Sequence, residues 1–145
     1  MSSPEPAEPE LSDADYRRLA ELRLALRRFL HWSEEQAAAA GVTAAQHQLM
    51  LAVRAREPDG PPTIGEVAGA LLLRHHSAVG LVDRAQQAGL IVRERDPANR
   101  SSVRLRLTDE GRARLRALAA LHQDELARLA PSMRELWGAG TPVAR

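Results

Sequence analysis

The spacing of apolar residues changes from helical to extended within residues 75–107. Before Gly89 the apolar residues recur every three or four positions, as on one face of an α-helix; these are Ala78, Leu81, Val82 and Ala85. After Gly89, which suits a helix C-terminus, residues 91–95 are predicted to form one strand, and the alternation of apolar and charged residues in 103–107 predicts another. The pattern predicts a helix over 75–88 followed by a two-stranded β-hairpin.

The hairpin has one apolar and one charged face. In the second strand the alternation places Arg104 and Arg106 on the face opposite to the three apolar residues. The segment 96–101 between the strands is rich in turn-forming residues and carries Arg100. We therefore expect a basic tip, with Arg100 projecting and Arg95 and Arg104 behind it.

The first helix is predicted to be long. Ser12 is a good N-cap, and the helix can run to Ala40 and end at Gly41. Its apolar stripe consists of Tyr16, Leu19, Leu22, Leu26, Phe29 and Leu30. At 1.5 Å per residue the helix is about 40 Å long. Because that length is unusual in a small protein, we expect it to pack against a second copy of the chain.

Two shorter helices precede residue 75. Thr43 and Gln46 form a predicted capping box for the first, which ends in the proline- and glycine-rich run 57–62. Thr63 and Glu66 form another predicted box, for the short helix before the turn at residues 73–74.

The hairpin is followed by a fifth helix, capped by Thr108. Pro131 suits the first turn of a separate last helix, because its missing N–H has no intrahelical partner there. The chain is thus predicted to be mostly α-helical with one small β-hairpin.

Positive charge is concentrated in the centre of the chain. Residues 74–116 contain ten arginines and five acidic residues, whereas residues 1–40 contain five arginines and eight acidic residues. The whole chain has a formal net charge of only +1. A basic segment within a nearly neutral chain indicates a face that binds a polyanion.

Several classes of function are disfavoured. The chain has no cysteine, which excludes disulfides and thiolate metal sites. It carries no Walker loop, dinucleotide fingerprint, nucleophile elbow or metal-binding motif, so we expect no enzyme activity, cofactor or metal. No apolar run approaches the length of a membrane span, and the acidic, proline-rich residues 1–10 are unlike a secretory signal. We expect a disordered tail at 1–10, a cytoplasmic protein and no membrane partner.

A short helix, a tight turn, a second helix and a hairpin form the layout of a winged helix-turn-helix. Residues 75–88 are the candidate recognition helix, because an α-helix fits the major groove of B-DNA. With the apolar stripe buried, the outer face and the hairpin supply the predicted DNA contacts. These are His75, His76, Ser77, Val79, Gly80 and Arg84 on the helix, and Arg95, Arg100, Ser101 and Arg104 on the hairpin. Asp83 would repel phosphate, and we expect it to orient Arg100 or Arg104.

Residues 71–111 resemble the core of the MarR (multiple antibiotic resistance regulator) family, and the likeness extends over about residues 15–137. The matching segments are Val82-Asp83-Arg84, Gly89-Leu90-Ile91, Asp96, Val103-x-Leu105-x-Leu107-Thr108 and Gly111. The resemblance implies one domain over 11–140, with a winged helix-turn-helix lobe at 43–107 and dimerisation helices at 11–41 and 109–140.

The resemblance also implies a function. Proteins of this family are expected to bind a pseudo-palindromic operator in double-stranded DNA as homodimers. They are usually repressors, which release DNA when a small aromatic or anionic effector binds. His31, Trp32 and His47 are the candidate effector contacts, and the alternative for Trp32 is a place in the interface core.

The chain departs from the family pattern at three positions. Asn99 and Ser101 stand in the wing where relatives usually carry Asp and Arg, and Gly80 stands where many relatives have a polar reader. A glycine inside a helix costs about 1 kcal/mol relative to alanine, and indicates either close DNA approach or a tolerated defect. These departures support an alternative function, a winged-helix effector-binding or anti-repressor protein that has lost operator binding.

Overall fold

A computed structural model of the chain describes residues 10–138. It contains five α-helices and one β-hairpin, which confirms the predicted fold class. The elements are α1 Asp13–Ala39, α2 Ala44–Arg56, α3 Ile64–Ala70, α4 His75–Gln87, β1 Ile91–Arg95, β2 Val103–Leu107 and α5 Asp109–Gly138, with a 3₁₀ turn at Glu57–Asp59. The predicted tail, except Glu10, and residues 139–140 of the predicted C-terminal helix lie outside the described residues.

The described chain forms two compact units. The larger unit is Ser33–Gln123, and the smaller one combines the residues up to Trp32 with those from Asp124 onwards. The predicted organisation as one domain over 11–140 stays a prediction. No helix within residues 10–138 has both the length and the apolar character needed to cross a membrane.

The capping predictions hold for α2 and in part for α3. The Thr43 hydroxyl accepts from the backbone N–H of Gln46 (3.1 Å), and the Gln46 side chain accepts from the backbone N–H of Thr43 (3.0 Å). At α3 the Thr63 hydroxyl accepts from the backbone N–H of Glu66 (3.2 Å). The Glu66 carboxylate lies 3.7 Å from a guanidinium nitrogen of Arg104.

The core of the larger unit is built around α4. All four residues of its predicted stripe are buried, which confirms the helical reading of that spacing. Apolar side chains from α2, α3, the hairpin and α5 complete the cluster; among them are Leu49, Met50, Val53, Val67, Ile91, Leu105, Leu115 and Leu118. Burying a leucine or valine side chain contributes roughly 1.5–3 kcal/mol, so this cluster fixes which face of α4 points outward.

The hairpin has the predicted strands and an additional partner. β1 and β2 pair antiparallel, with Ile91 opposite Leu107 and Arg95 opposite Val103. Thr63, just before α3, forms a bridge with Arg104. The neighbouring N–H of Leu105 donates to the carbonyl of Pro62 (2.8 Å). The hairpin is therefore anchored to the start of α3, which the strand pattern did not predict.

The start of α5 is docked on the two residues that precede the hairpin, Gly89 and Leu90. A Cβ atom added to Gly111 would lie 2.2 Å from the carbonyl oxygen of Leu90, so only glycine permits this approach. The Thr108 hydroxyl donates to the carbonyl of Gly89 (2.6 Å) and accepts from the N–H of Gly111 (3.0 Å). These contacts fix the direction in which α5 leaves the hairpin.

The prediction of a separate last helix at Pro131 is wrong. Helix α5 is continuous from Asp109 to Gly138 and contains Pro131 in its interior. The apolar residues before and after the proline line one groove, so the same face of the helix is used on both sides. Continuity of this face favours an uninterrupted helix despite the roughly 3 kcal/mol cost of an interior proline.

The smaller unit carries an apolar groove of about 640 Å³ between α1 and the end of α5. Its walls include Leu26 and Phe29 from α1 and Leu126, Met133 and Trp137 from α5. Large side chains on the two helices are well exposed; Trp137, for example, is 73% exposed.

The turn between α3 and α4 contains a strained residue. Leu72 has a φ of 55°, in the left-handed region that normally suits glycine, and its side chain is 94% exposed. The N–H of the following residue, Leu73, donates to the carbonyl of Ala68 (2.9 Å), as at a helix end of the Schellman type. The leucine side chain thus gains little from packing while its backbone is strained.

We predict that Leu72→Gly raises the free energy of unfolding by about 0.5–1 kcal/mol, because glycine adopts positive φ without a Cβ clash. Gly89→Ala should lower the free energy of unfolding, because Gly89 has a φ of 74°, which is strained for alanine. An added Cβ atom there would meet no other atom, so the change measures the backbone strain alone. Urea unfolding of the two variants measures both changes. A destabilised Leu72→Gly variant would contradict the assignment of strain.

Candidate nucleic-acid interface

The first turn of α4 is open to solvent. His75, His76 and Ser77 are exposed, as predicted, and share this turn. The N-cap residue Arg74 makes no side-chain hydrogen bond to the helix. The free N–H groups and the helix dipole therefore favour an anion at this end, and adjacent side chains can contact a ligand there.

The middle of the outer face is formed by Val79, Gly80 and Arg84. Val79 and Gly80 are half-buried, and Arg84 is exposed. Arg84 is folded back along the helix, so that a Cβ atom added to Gly80 would lie 3.3 Å from its Nη1. The structure thus brings Gly80 and Arg84 together.

Asp83 pairs with β1 and not with the hairpin tip. Its carboxylate accepts from Nη2 of Arg93 (2.6 Å), and Nη1 of Arg93 donates to the side chain of Gln86 (2.6 Å). The expectation that Asp83 orients Arg100 or Arg104 is wrong. Arg93 is closer because α4 packs directly on the strand that carries it.

The hairpin β1–β2, which we call the wing, has a tightly hydrogen-bonded tip. The Asp96 carboxylate accepts from the N–H of Ala98 (2.9 Å), and this bond, followed by the interaction with Arg104, holds the pKa of Asp96 below its ordinary value. The Asn99 side chain accepts from the N–H (3.2 Å) and the hydroxyl (2.6 Å) of Ser101. Asn99 and Ser101 therefore close the turn that presents Arg100.

The predicted basic residues of the wing have different surroundings. Arg100 is exposed, and its carbonyl accepts from the guanidinium of Arg95 (3.3 Å), which is also exposed. Arg104 is half-buried and donates to the Asp96 carboxylate (3.2 Å) and to the carbonyl of Pro61 (3.2 Å). Arg104 therefore fastens the wing to the segment before α3, and its role in DNA binding stays a prediction.

Ion pairing leaves a defined set of arginines without a counter-charge. Residues 74–106 contain seven arginines and three acidic residues, and each acid is paired: Asp83 with Arg93, Glu94 with Arg106 and Asp96 with Arg104. Within residues 10–138, the arginines of this segment that have no acidic partner are Arg74, Arg84, Arg95 and Arg100. All four are exposed and lie on α4, at its N-cap or on the wing.

The candidate effector residues are divided between the two units. His31 and Trp32 lie on α1 in the smaller unit, where the ring of Trp32 stacks on Phe29 at a centroid distance of 6.0 Å. His47 lies on α2 in the larger unit. Their role in ligand binding stays a prediction.

His47 belongs to a histidine pair that the sequence did not predict. It is buried, and its ring centroid lies 4.8 Å from that of His122. His122 is hydrogen-bonded through Nδ1 to the carbonyl of Leu118 (2.7 Å) and through Nε2 to the hydroxyl of Ser33 (2.7 Å). Burial, and secondarily His122, lowers the pKa of His47.

The sequence analysis also missed Arg93 and Asp96 as organising residues of the interface. A usable signal was present for Arg93, since a strand that follows a helix through a short glycine turn packs antiparallel to it. Arg93 shares a face of the strand with the buried Ile91 and therefore lies next to the last turns of the helix. For Asp96, its position at the start of a turn favours a hydrogen bond to the backbone two residues later.

Comparison with known proteins agrees with this geometry. Residues 40–100 match the model of the MarR family. YsmB, an uncharacterized HTH-type transcriptional regulator of Bacillus subtilis (strain 168), is 36% identical over 67 residues. The aligned segment is 46% of this chain and 46% of that protein, so the chain spans less than half the length of the curated relative.

Solved structures extend the likeness over most of the chain. A crystal structure of a MarR family transcription regulator is similar with a TM-score of 0.72 and 25% identity, covering 83% of this chain and 78% of that one. The transcriptional repressor CouR, bound to a 23-mer DNA duplex, is similar with a TM-score of 0.65 and 29% identity, covering 83% of this chain and 87% of that one. The fold is that of a winged helix-turn-helix protein. The resemblance of this chain to the MarR family is confirmed.

The buried His47 predicts a pH-dependent stability. Its pKa is lowered in the folded state from about 6.5, so the unfolded chain binds more protons below that pH. The contribution to stability is complete above pH 6.5 and is lost as the pH falls towards the lowered value. Urea unfolding between pH 5 and 8 should show this loss, and His47→Gln should reduce it, whereas His76→Gln at an exposed position should not. An unchanged pH profile in His47→Gln would contradict the assignment.

Proposed function

We propose that this chain is a sequence-specific, double-stranded-DNA-binding transcriptional regulator. The observation that carries the proposal is that the four arginines of residues 74–106 without an acidic partner in the described chain are all exposed: Arg74, Arg84, Arg95 and Arg100. They extend from the N-cap of a helix with an open first turn to the tip of the wing. A polyanion of regular shape satisfies such a distribution better than a small anion does.

The helix and the wing supply two complementary modes of contact. The outer face of α4 has the size and shape that the major groove of B-DNA accepts, and its first turn would contact base edges or phosphates. The wing tip, with Arg100 at its apex, would contact the flanking backbone or minor groove. The DNA-bound CouR structure, which has a similar fold, supports this choice of ligand.

We propose that the active form is a homodimer on a pseudo-palindromic operator. The apolar stripe of α1 is poorly covered in a single chain: Tyr16 and Leu30, for example, are more than half exposed. The groove between α1 and α5 is also apolar and open. Exposed apolar surface of this extent is typical of a protein interface, and a second copy would cover it.

We further propose that the protein is a cytoplasmic repressor, which releases DNA when a small effector binds. His31, Trp32 and His47 remain the candidate effector residues, and a small aromatic or anionic compound remains the expected class. The stacked Trp32 could report such a ligand through its fluorescence, since an aromatic or charged molecule nearby changes its environment.

One observation favours the alternative of an effector-binding or anti-repressor protein. At the wing tip the Ser101 hydroxyl donates to Oδ1 of Asn99, so that proton is not available to DNA without rearrangement. On this alternative the wing is a closed structural loop, and the chain acts through another protein.

Selection from a random duplex library distinguishes the two functions. The proposed regulator should enrich a related set of duplexes with inverted half-sites, and its dissociation constant should rise steeply with salt because neutralised phosphates release counterions. Enrichment of no sequence, with weak binding to every duplex, would instead support the alternative.

Arg100→Ala should weaken binding to a selected duplex by about 1–2 kcal/mol and reduce the salt dependence by about one phosphate contact. Fluorescence anisotropy at several salt concentrations measures both effects. Arg128→Ala is the matched control, since Arg128 is an exposed arginine on the distal part of α5 and pairs with Glu125. Equal effects of the two substitutions would show that the wing tip does not contact DNA.

Leu26→Asp should dissociate the dimer, because an unpaired charge in an apolar interface costs several kcal/mol. The dissociation constant of the dimer should rise on the order of a hundredfold, as measured by analytical ultracentrifugation. Leu24→Asp is the control, since Leu24 is similarly exposed (44%, against 42% for Leu26) but lies on the other side of α1. A Leu26→Asp dimer as tight as the unmodified one would refute the assigned interface.

A further inference from the structure

The tip of the Arg84 side chain lies beside the position that a Cβ atom at residue 80 would take. A Cβ atom at Gly80 would lie 3.3 Å from Nη1 of Arg84, closer than ordinary van der Waals contact. A longer side chain at this position would extend into the space next to that nitrogen. Gly80 thus leaves a slot on the outer face of α4, and Arg84 fills it.

The slot moves the charge of Arg84 towards the N-terminal end of α4. Side chains on a helix lean towards its N-terminus, and four residues correspond to about 6 Å along the axis. The guanidinium therefore lies at the level of Gly80, near the middle of the helix and closer to the open first turn at His75 and His76. That end of the helix is the part that would lie deepest in a DNA groove.

The charge of Arg84 is also available. The neighbouring Asp83 is engaged by Arg93 at 2.6 Å, and Arg84 has no acidic partner among residues 10–138. A guanidinium whose charge is uncompensated can bind a planar pair of acceptors through its fork of N–H donors. Guanine offers such a pair, O6 and N7, in the major groove, and arginine is its usual partner.

We propose that Gly80 is a positioning residue for Arg84, and that Arg84, seated over Gly80, reads a guanine in the major groove. The glycine is then neither a defect nor a position where readout is lost, because the arginine one turn later supplies the readout. The inference rests on the proposed function and deepens it by assigning one specificity-determining contact.

The test uses a duplex selected by the unmodified full-length protein and a panel of its single-base-pair variants. Arg84→Ala should lower affinity for the selected duplex about tenfold or more and abolish discrimination at one G·C pair in each half-site. Gly80→Met should cause the same loss at the same base pair, because a neutral side chain in the slot displaces the guanidinium. The double variant should bind no more weakly than Arg84→Ala. Arg84→Lys should also lose the discrimination, since lysine lacks the planar fork.

Gly69 provides the matched control. It is an exposed glycine in α3, with no atom near the position of an added Cβ, and it has no place in the proposed contact. Gly69→Met should leave both the affinity and the base preference unchanged. Methionine is a better helix former than glycine, so neither methionine variant should unfold the lobe.

Two results would overturn the inference while leaving the proposed function intact. The first is a Gly80→Met protein with the base preference and affinity of the unmodified chain. The second is a uniform loss across all duplexes in Arg84→Ala, with a salt dependence reduced by about one contact, which would assign Arg84 to a phosphate. If the unmodified protein selects no duplex at all, the proposed function itself fails.

Discussion

The burial of one face of α4 is the constraint on which the rest of the structure depends. Ala78, Leu81, Val82 and Ala85 are all inside the core, and together they determine how the helix is rotated about its axis. Because these four positions cannot be exposed without losing several kcal/mol of apolar burial, the opposite face is fixed at the surface. The open first turn, the Gly80 slot and Arg84 all follow from that rotation. The close approach of Gly111 to Leu90 then fixes α5 against the first residue before the wing.

Ion pairing determines where positive charge is left on the surface of α4 and the wing. The acidic residues of α4 and the wing all form ion pairs within the protein. Two of these pairs also connect elements: Asp83 joins α4 to β1 through Arg93, and Asp96 joins the wing tip to β2 through Arg104. The arginines that remain are at the edges of the scaffold. The same contacts that stabilise the lobe therefore decide where uncompensated charge is left for DNA.

Much of the lobe could be predicted because its signals are local. The stripe on α4, the alternation in β2 and the capping box at Thr43 depend on spacing over fewer than a dozen residues, and all are confirmed. The wrong predictions concern features that depend on residues far apart in the sequence. Pro131 has the local properties of a helix start, but the apolar face of α5 continues on both sides of it. The partner of Asp83 depends on which part of β1 lies beneath α4, and the bridge from Thr63 to Arg104 involves single residues far apart in sequence. The residues of α4 that face outward could be predicted, because they are the ones outside the buried stripe. Which arginines lack an acidic partner could not be predicted, because the ion pairs depend on contacts between separate elements.

The central claim, that the open end of α4 and the wing tip together bind duplex DNA, is tested most directly by hydrogen exchange of the full chain with and without a selected duplex. The account predicts slower exchange for the amides of His75, His76 and Ser77, which have no acceptor within the described chain, and for the wing-tip amides between Ala98 and Ser102. Protection confined to α1 and α5, or no protection at the start of α4, would contradict it.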